Sequence, residues 1–512
     1  MPEEKSLLYK LEPLYRRLPV VKRPKMHVEF KYKIIWTILA LLVYFILCNV
    51  WIYGLDRGES TDMFEVFRTI MAGASGSVLD LGISPIVTAS IILQLFAGAK
   101  IINLDMGDPD DQRVFQGTQK LLALGCIVIM GLPKVLGQYP FMPADPGFEA
   151  AVGGIGARAL IFLQLAIGGY IIMMMDEVVS KWGIGSGISL FIAAGVSWQI
   201  FTGIFSWLPN PEMVMNPLPI GCIPWLVRLV QQTSILSLLH GGYERMLLGA
   251  SGLDLNPIIA LLGAVLIFTL VAYMESCRVE LPIVHERVRG ARGKYPLKLI
   301  YASVIPVILI ASLLGVVNMM TQVLWVHPEI PLLGHNAWIG AYEGTKPIMG
   351  MAYYINAPMG IHEWLLPLIS PANYPGIPGR TSLQIAMNVV VYTVIMIIGC
   401  IFFAKFWIET TNMSARDVAK RIQSSGMQIP GFRRDVRVLE RVLNRYIPTI
   451  TVLSGVFVGV LAVGSNLIGC VGRVGGMGLL LLVGILIDLY EQIQKEQAME
   501  MHPLLRGFLG EG

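Results

Sequence analysis

Charge is what this sequence has least of. Asp, Glu, Lys and Arg make up 14% of its 512 residues, against about 25% in a soluble domain. That is too little polar surface to cover a water-facing globule of this size. Charge is scarcer still inside the apolar runs. Asp176, Glu177, Glu275 and Asp488 fall near the ends of such runs, not at their centres. Ion-coupled transporters place carboxylates or histidines at mid-membrane, and ion channels line a filter with carbonyls or charged rings. Neither pattern is present.

Catalytic signatures are missing as well. His362-Glu363 is followed by Trp, Leu and Leu, so there is no HExxH, and His285-Glu286 lies in a basic loop without a second metal ligand. Gly73-Ala74-Ser75-Gly76-Ser77 lacks the last glycine of a GxSxG elbow. The glycines of KWGIGSGISLF, at 183, 185 and 187, lack the Gly-Lys-Ser/Thr of a phosphate loop, and no strand precedes them. They read instead as a tight turn between two apolar runs, where glycine permits unusual dihedrals and close backbone approach. The six cysteines, at 48, 126, 222, 277, 400 and 470, show no CxxC spacing, which argues against zinc or a disulfide framework.

What is present is apolar sequence: 54% hydrophobic residues and a mean hydropathy of +0.63. Runs near the length that crosses a bilayer occur at 34–53, 81–99, 121–139, 159–175, 187–206, 257–276, 299–325, 383–404, 447–468 and 477–494. Residues 1–33 are polar and basic, unlike a cleavable signal peptide. Ten spans put both termini on one side, and 30 of the 39 basic residues fall on that side. The positive-inside rule makes it the cytoplasm. The resulting organisation is a cytoplasmic tail (1–33), an N-terminal half (34–206), an external loop (207–256), a C-terminal half (257–494) with basic cytoplasmic loops at 278–298 and 405–446, and a cytoplasmic tail (495–512). Pro209, Pro211, Pro217, Pro219 and Pro224 argue against a continuous helix in the external loop. The apolar piece 352–369 is expected to lie along the interface, not to span.

Five spans per half force opposite topology, as in inverted-repeat folds. Short echoes agree. Span 2 holds Ser84-Pro85-Ile86 and span 7 holds Ile305-Pro306-Val307, while spans 5 and 10 each follow a glycine-rich turn. Both prolines are expected to kink their spans and to face neighbouring helices or a cavity, where the freed carbonyl is satisfied. The fold class is therefore an all-α polytopic membrane protein of ten helices in two inverted five-helix halves. With almost no charge in the cores of the spans, any path between the halves is narrowest at an aliphatic waist, which dewets and resists ions. An inverted-repeat secondary transporter is the alternative reading, and it requires the mid-membrane charge that the sequence lacks.

Several stretches carry a resemblance: LGISPIVTASIILQL (81–95), FQGTQKLL (115–122), DEVVSKWGIGSGISLFIAAGVS (176–197), RGARGKYPLKLIYASVIPVIL (289–309), FWIETTNMSARDVAKRI (406–422), GFRRD (431–435), RYIPTITVLSGVFVG (445–459) and LYEQI (489–493). Together they resemble the SecY family, the pore-forming subunits of Sec protein-conducting channels, and above all its archaeal and eukaryotic branch. The long outer loops match least.

The resemblance implies a clamshell passing unfolded polypeptide across the membrane and releasing transmembrane segments sideways into lipid, without enzymatic activity or cofactor. It implies a pore ring of Ile83, Val87, Ile188, Ile192, Ile308 and Leu481. It makes 64–74 a plug, with Phe64, Phe67, Arg68, Ile70 and Met71, whose exit Gly73 and Gly76 are expected to loosen. It places a lateral gate between spans 2 and 7, with Thr88, Gln94 and Asn318 as its polar positions. It assigns Arg287, Arg289, Arg433 and Arg434 to ribosome binding through phosphate contacts. Implied partners are SecE/gamma-type and beta-type small single-span subunits, the ribosome, signal sequences, nascent chains and lipid. The implied location is the plasma membrane, with the endoplasmic reticulum as alternative.

Overall fold

Each apolar run becomes a helix, because inside a bilayer only a helix or a closed barrel pairs every backbone polar group. The computed structural model describes residues 8–9, 12–26, 28–56, 72–98, 102, 109–136, 142–209, 218–232, 247, 258–285, 292–301, 304–326, 334–343, 346–370, 380–411, 413–424, 427–428, 436–471 and 476–501. Ten helices match the ten runs: α1 (Phe30–Asn49), α2 (Ser84–Gly98), α3 (Pro109–Val135), α4 (Gly154–Trp182), α5 (Gly187–Phe205), α6 (Ile258–Ser276), α7 (Ile305–Val326), α8 (Ser382–Thr410), α9 (Val436–Ile468) and α10 (Gly476–Met501). Nine are long and apolar enough to cross a membrane; α2, with 15 residues, is the short one.

The halves pack within themselves first. In the N-terminal half α2 lies on α3, α3 on α4, and α4 on both α1 and α5. In the C-terminal half α8 lies on α7 and α9, and α10 on α6 and α9. The halves meet along two seams. One joins α10 to α5 and α1; the other joins α2 to α7 and α8. A clamshell needs this layout, with a spine on one side and a partable edge on the other.

Pro85 and Pro306 differ from expectation. Each is the second residue of its helix, where no hydrogen bond is lost, so each starts a helix and kinks none. The two starts are alike in detail. Ile86 N–H donates to Ile83 O at 3.0 Å, and Val307 N–H to Val304 O at 3.1 Å. Pro224 behaves similarly in a short helix, Cys222–Gln232, in the loop between α5 and α6: it is the third residue, and Trp225 and Leu229 pack beneath. The 352–369 piece forms two helices, Met351–Ile355 and Ile361–Ile369, both too short to span.

The two basic loops are not separate. β1 (Arg278–His285) and β2 (Arg292–Lys298) form an antiparallel hairpin, β3 (Ala341–Glu343) and β4 (Lys346–Met349) form another among the outer segments, and β5 (Met427–Gln428) adds to β1. One sheet of order β2-β1-β5 thus ties the loop after α6 to the loop after α8. Lys298 bridges Asp488 at 3.2 Å and Glu491 at 3.0 Å, fixing the hairpin base to α10. A second apolar core joins the end of α8, helix Ala415–Ser424 and the first turns of α9 through Ala419, Leu443 and Ile447. On the other half the N-terminal tail straps α4. Val21 N–H donates to Glu177 Oε2 at 3.0 Å, Lys181 Nζ to Val21 O at 2.6 Å, and Trp182 Nε1 to Lys22 O at 2.9 Å.

Candidate functional site: pore and lateral gate

The six aliphatic ring candidates sit on four helices and one turn, and one apolar cluster gathers them all. Ile83 ends the segment ahead of α2, Val87 lies in the first turn of α2, Ile308 in the first turn of α7, and Leu481 in the second turn of α10. Ile83, Ile192 and Leu481 are 0% exposed; Val87 and Ile308 are buried, and half-buried Ile188 packs at the cluster's edge. Ile188 and Ile192, four residues apart, share one face of α5. Branched side chains from both halves thus fill the space where the halves meet. An apolar cluster of this kind gives an ion no ligand.

Residues 72–83, ahead of α2, are pinned, contrary to the loosening expected of Gly73 and Gly76. Ile52 N–H donates to Gly76 O and Val78 N–H to Val50 O, each at 3.0 Å, joining the segment to the end of α1. Gly76 has φ +67° and lies flat against the Trp51 ring, so its freedom serves a tight turn. Gly168 of α4 lies so close against the Val78 carbonyl that no side chain fits between them. Gly76 N–H also donates to Asp80 Oδ1 at 3.2 Å, and Asp80 in turn forms an ion pair with Lys134 of α3, both side chains buried. At the other end Tyr44 of α1 stacks on Phe191 of α5, ring centroids 5.1 Å apart, and donates from Oη to Ala72 O at 3.1 Å. Ala72 has φ +51°, an uncommon conformation for a residue with a Cβ.

The gate candidates belong to the helices that form the second seam. Thr88 and Gln94 belong to α2, Asn318 to α7, and the two helices pack together. Thr88 Oγ1, Gln94 Oε1 and Asn318 Oδ1 are all buried without a hydrogen-bond partner among the described residues. The Gln94 amide reaches only Ser90 Oγ, at 3.2 Å. A buried unpaired acceptor costs about 1–3 kcal/mol. These helices therefore hold polar atoms that water or another polar group can satisfy.

Comparison with known proteins now bears on this geometry. Residues 77–490 match the SecY family, and residues 42–76 match the plug domain of Sec61p. The chain belongs to the SecY family. It is 44% identical to the protein translocase subunit SecY of Haloferax volcanii over 98% of both chains. A solved protein-conducting channel superposes with a TM-score of 0.76 at 36% identity, covering 96% of this chain and 98% of that one. Sec61 in the canine ribosome-channel complex from the endoplasmic reticulum gives 0.73 at 36% identity over the same shares.

As a SecY-family chain it is a multi-span channel subunit of protein translocation, not an enzyme. Its plug candidates Phe64, Phe67, Arg68, Ile70 and Met71 lie outside the described residues, as do Arg287, Arg289, Arg433 and Arg434. Sequence reasoning passed over Asp80 and Lys134. Lys134 stands at the end of an apolar run, where a lone lysine reads as a flanking charge, and its partner is 54 residues away. It also passed over Tyr342 of β3, which donates from Oη to Asn318 O at 3.1 Å and lies 2.6 Å from Thr321 Oγ1, bracing this stretch of α7 from outside the helix.

Proposed function

We propose that this chain forms the pore through which unfolded polypeptides cross the membrane, with Ile83, Val87, Ile188, Ile192, Ile308 and Leu481 as its resting constriction. The seam between α2 and α7 is the exit for transmembrane segments and the entry for signal sequences. The single observation that carries this reading is that aliphatic side chains from both halves converge in one buried cluster where the halves meet. The basic residues favour cytoplasmic termini, with Arg287, Arg289, Arg433 and Arg434 meeting ribosomal RNA phosphates. The membrane is the plasma membrane, in keeping with archaeal relatives at 42–44% identity. The exposed apolar faces of α1 and α6 suit small single-span subunits of the SecE/gamma and beta types.

The test is photo-crosslinking of a stalled secretory chain. A photoreactive residue at position 87 or 192 is expected to capture the chain in transit. The same probe at Leu262, exposed on α6, is expected to capture lipid or a partner subunit. Equal capture of the chain at all three positions contradicts the proposal.

A further inference from the structure

The fifth helix of each half starts in the same unusual way. α5 begins at Gly187 and α10 at Gly476. A Cβ on Gly187 would lie 2.6 Å from Asp176 Cα in α4, and one on Gly476 would strike the Ser465 carbonyl of α9. Each glycine therefore lets the start of the fifth helix press directly on the fourth. The next residue of each helix then donates its backbone N–H to a side chain on that fourth helix. Ile188 N–H reaches Asp176 Oδ1 at 2.9 Å, and Met477 N–H reaches Asn466 Oδ1 at 3.0 Å. Four residues beyond each donor stand Ile192 and Leu481.

A helix leaves its first N–H groups without internal partners, and ordinarily the N-cap side chain serves them. Ser186, the N-cap of α5, makes no capping bond. The acceptor comes from a different helix instead. A cap borrowed in this way stabilises the helix start and also fixes its rotation and height against the lender. Asn466 is itself held, donating from Nδ2 to Tyr392 Oη of α8 at 2.9 Å, with both residues buried. Sliding α5 or α10 by one residue breaks the bond and moves the ring side chain off the constriction.

We propose that Asp176 and Asn466 are equivalent positioning residues, one in each half, that set the register of the two helices delivering Ile188, Ile192 and Leu481 to the pore. The inference rests on the ring reading above. In the C-terminal half Asn466 does this work without charge, so the shared requirement is an acceptor oxygen at a fixed place.

The test measures resting ion conductance and thermal stability of the full-length channel complex. Ile188→Ser with Ile192→Ser serves as the reference for a broken ring. Asp176→Ala and Asn466→Ala are each expected to raise resting conductance about tenfold, the factor that about 1.4 kcal/mol of lost anchoring represents. Asp176→Asn keeps an acceptor oxygen and is expected to stay within about twofold of the parent by the same arithmetic. Asp176→Ala combined with Ser186→Asp restores a cap within α5 but not the tie to α4. It is expected to recover the parent's melting temperature and still leak, and it decides the matter if Asn466→Ala does not fold. The proposal is overturned if the alanine variants seal as the parent does while the double-serine reference leaks. It is overturned too if Ser186→Asp restores the seal. A tight double-serine reference removes the ring reading, and the positioning role with it.

Discussion

Asp80 and Lys134 form an ion pair with side chains 4% and 5% exposed, joining the segment ahead of α2 to the last turn of α3. Two charges so placed have given up their water and depend on each other. Removing one takes the opposite charge away from the other while it stays buried, at about 3–5 kcal/mol. Lys134→Met is therefore expected to lower stability by roughly that amount. Asp80→Asn with Lys134→Met keeps an acceptor for the Gly76 N–H and removes both charges. It is expected to return to within about 1–2 kcal/mol of the parent. Thermal unfolding of the two variants checks this; equal losses would rule out pairing as the source of the effect.

Two helical glycines are expected to respond to alanine with opposite signs. Gly168 of α4 lies against the Val78 carbonyl, so Gly168→Ala must push residues 72–83 away, at about 1–3 kcal/mol. Gly125 of α3 has nothing within 4 Å of where its Cβ would stand. Gly125→Ala is expected to stabilise by about 0.5–1 kcal/mol, the helix-propensity gain alone. Melting temperatures of the two proteins, side by side, give the sign of each.

In the proposed gate, the oxygens of Thr88, Gln94 and Asn318, which have no hydrogen-bond partner among the described residues, make the closed state costly. Asn318→Leu replaces one of them with an apolar group of similar size. The closed state should gain about 1–3 kcal/mol, which slows opening by about fivefold to a hundredfold. Translocation of a substrate with a weak signal sequence is expected to fall before that of one with a strong signal. Faster translocation of both would count against a polar gate.

Much of the fold was legible because a bilayer asks for long apolar runs, and all ten helices fall where such runs fall. Helix ends outside the apolar zone were not. α9 begins at Val436 and α3 at Pro109, well ahead of their apolar runs, because amphipathic turns there pack on neighbours that local hydropathy does not register. Pro85 and Pro306 look like kinks in the sequence, since a proline inside an apolar run looks internal until the helix start is known. Gly76 looks loose in the sequence because φ freedom serves a hinge and a tight turn alike. The ring and gate positions came from resemblance, as aliphatic spacing along one helix looks the same in a core and in a pore. Asp80 with Lys134, and Asp176 with Ile188, are tertiary pairs, and no local pattern announces either.

In the function proposed above, the aliphatic ring seals the resting pore against ions. Single-channel conductance of the reconstituted complex, without substrate and with Ile188→Ser and Ile192→Ser, tests it most directly. Two hydroxyls at the waist are expected to admit water and produce a steady ion leak that the parent lacks. A double-serine channel as silent as the parent would contradict the account.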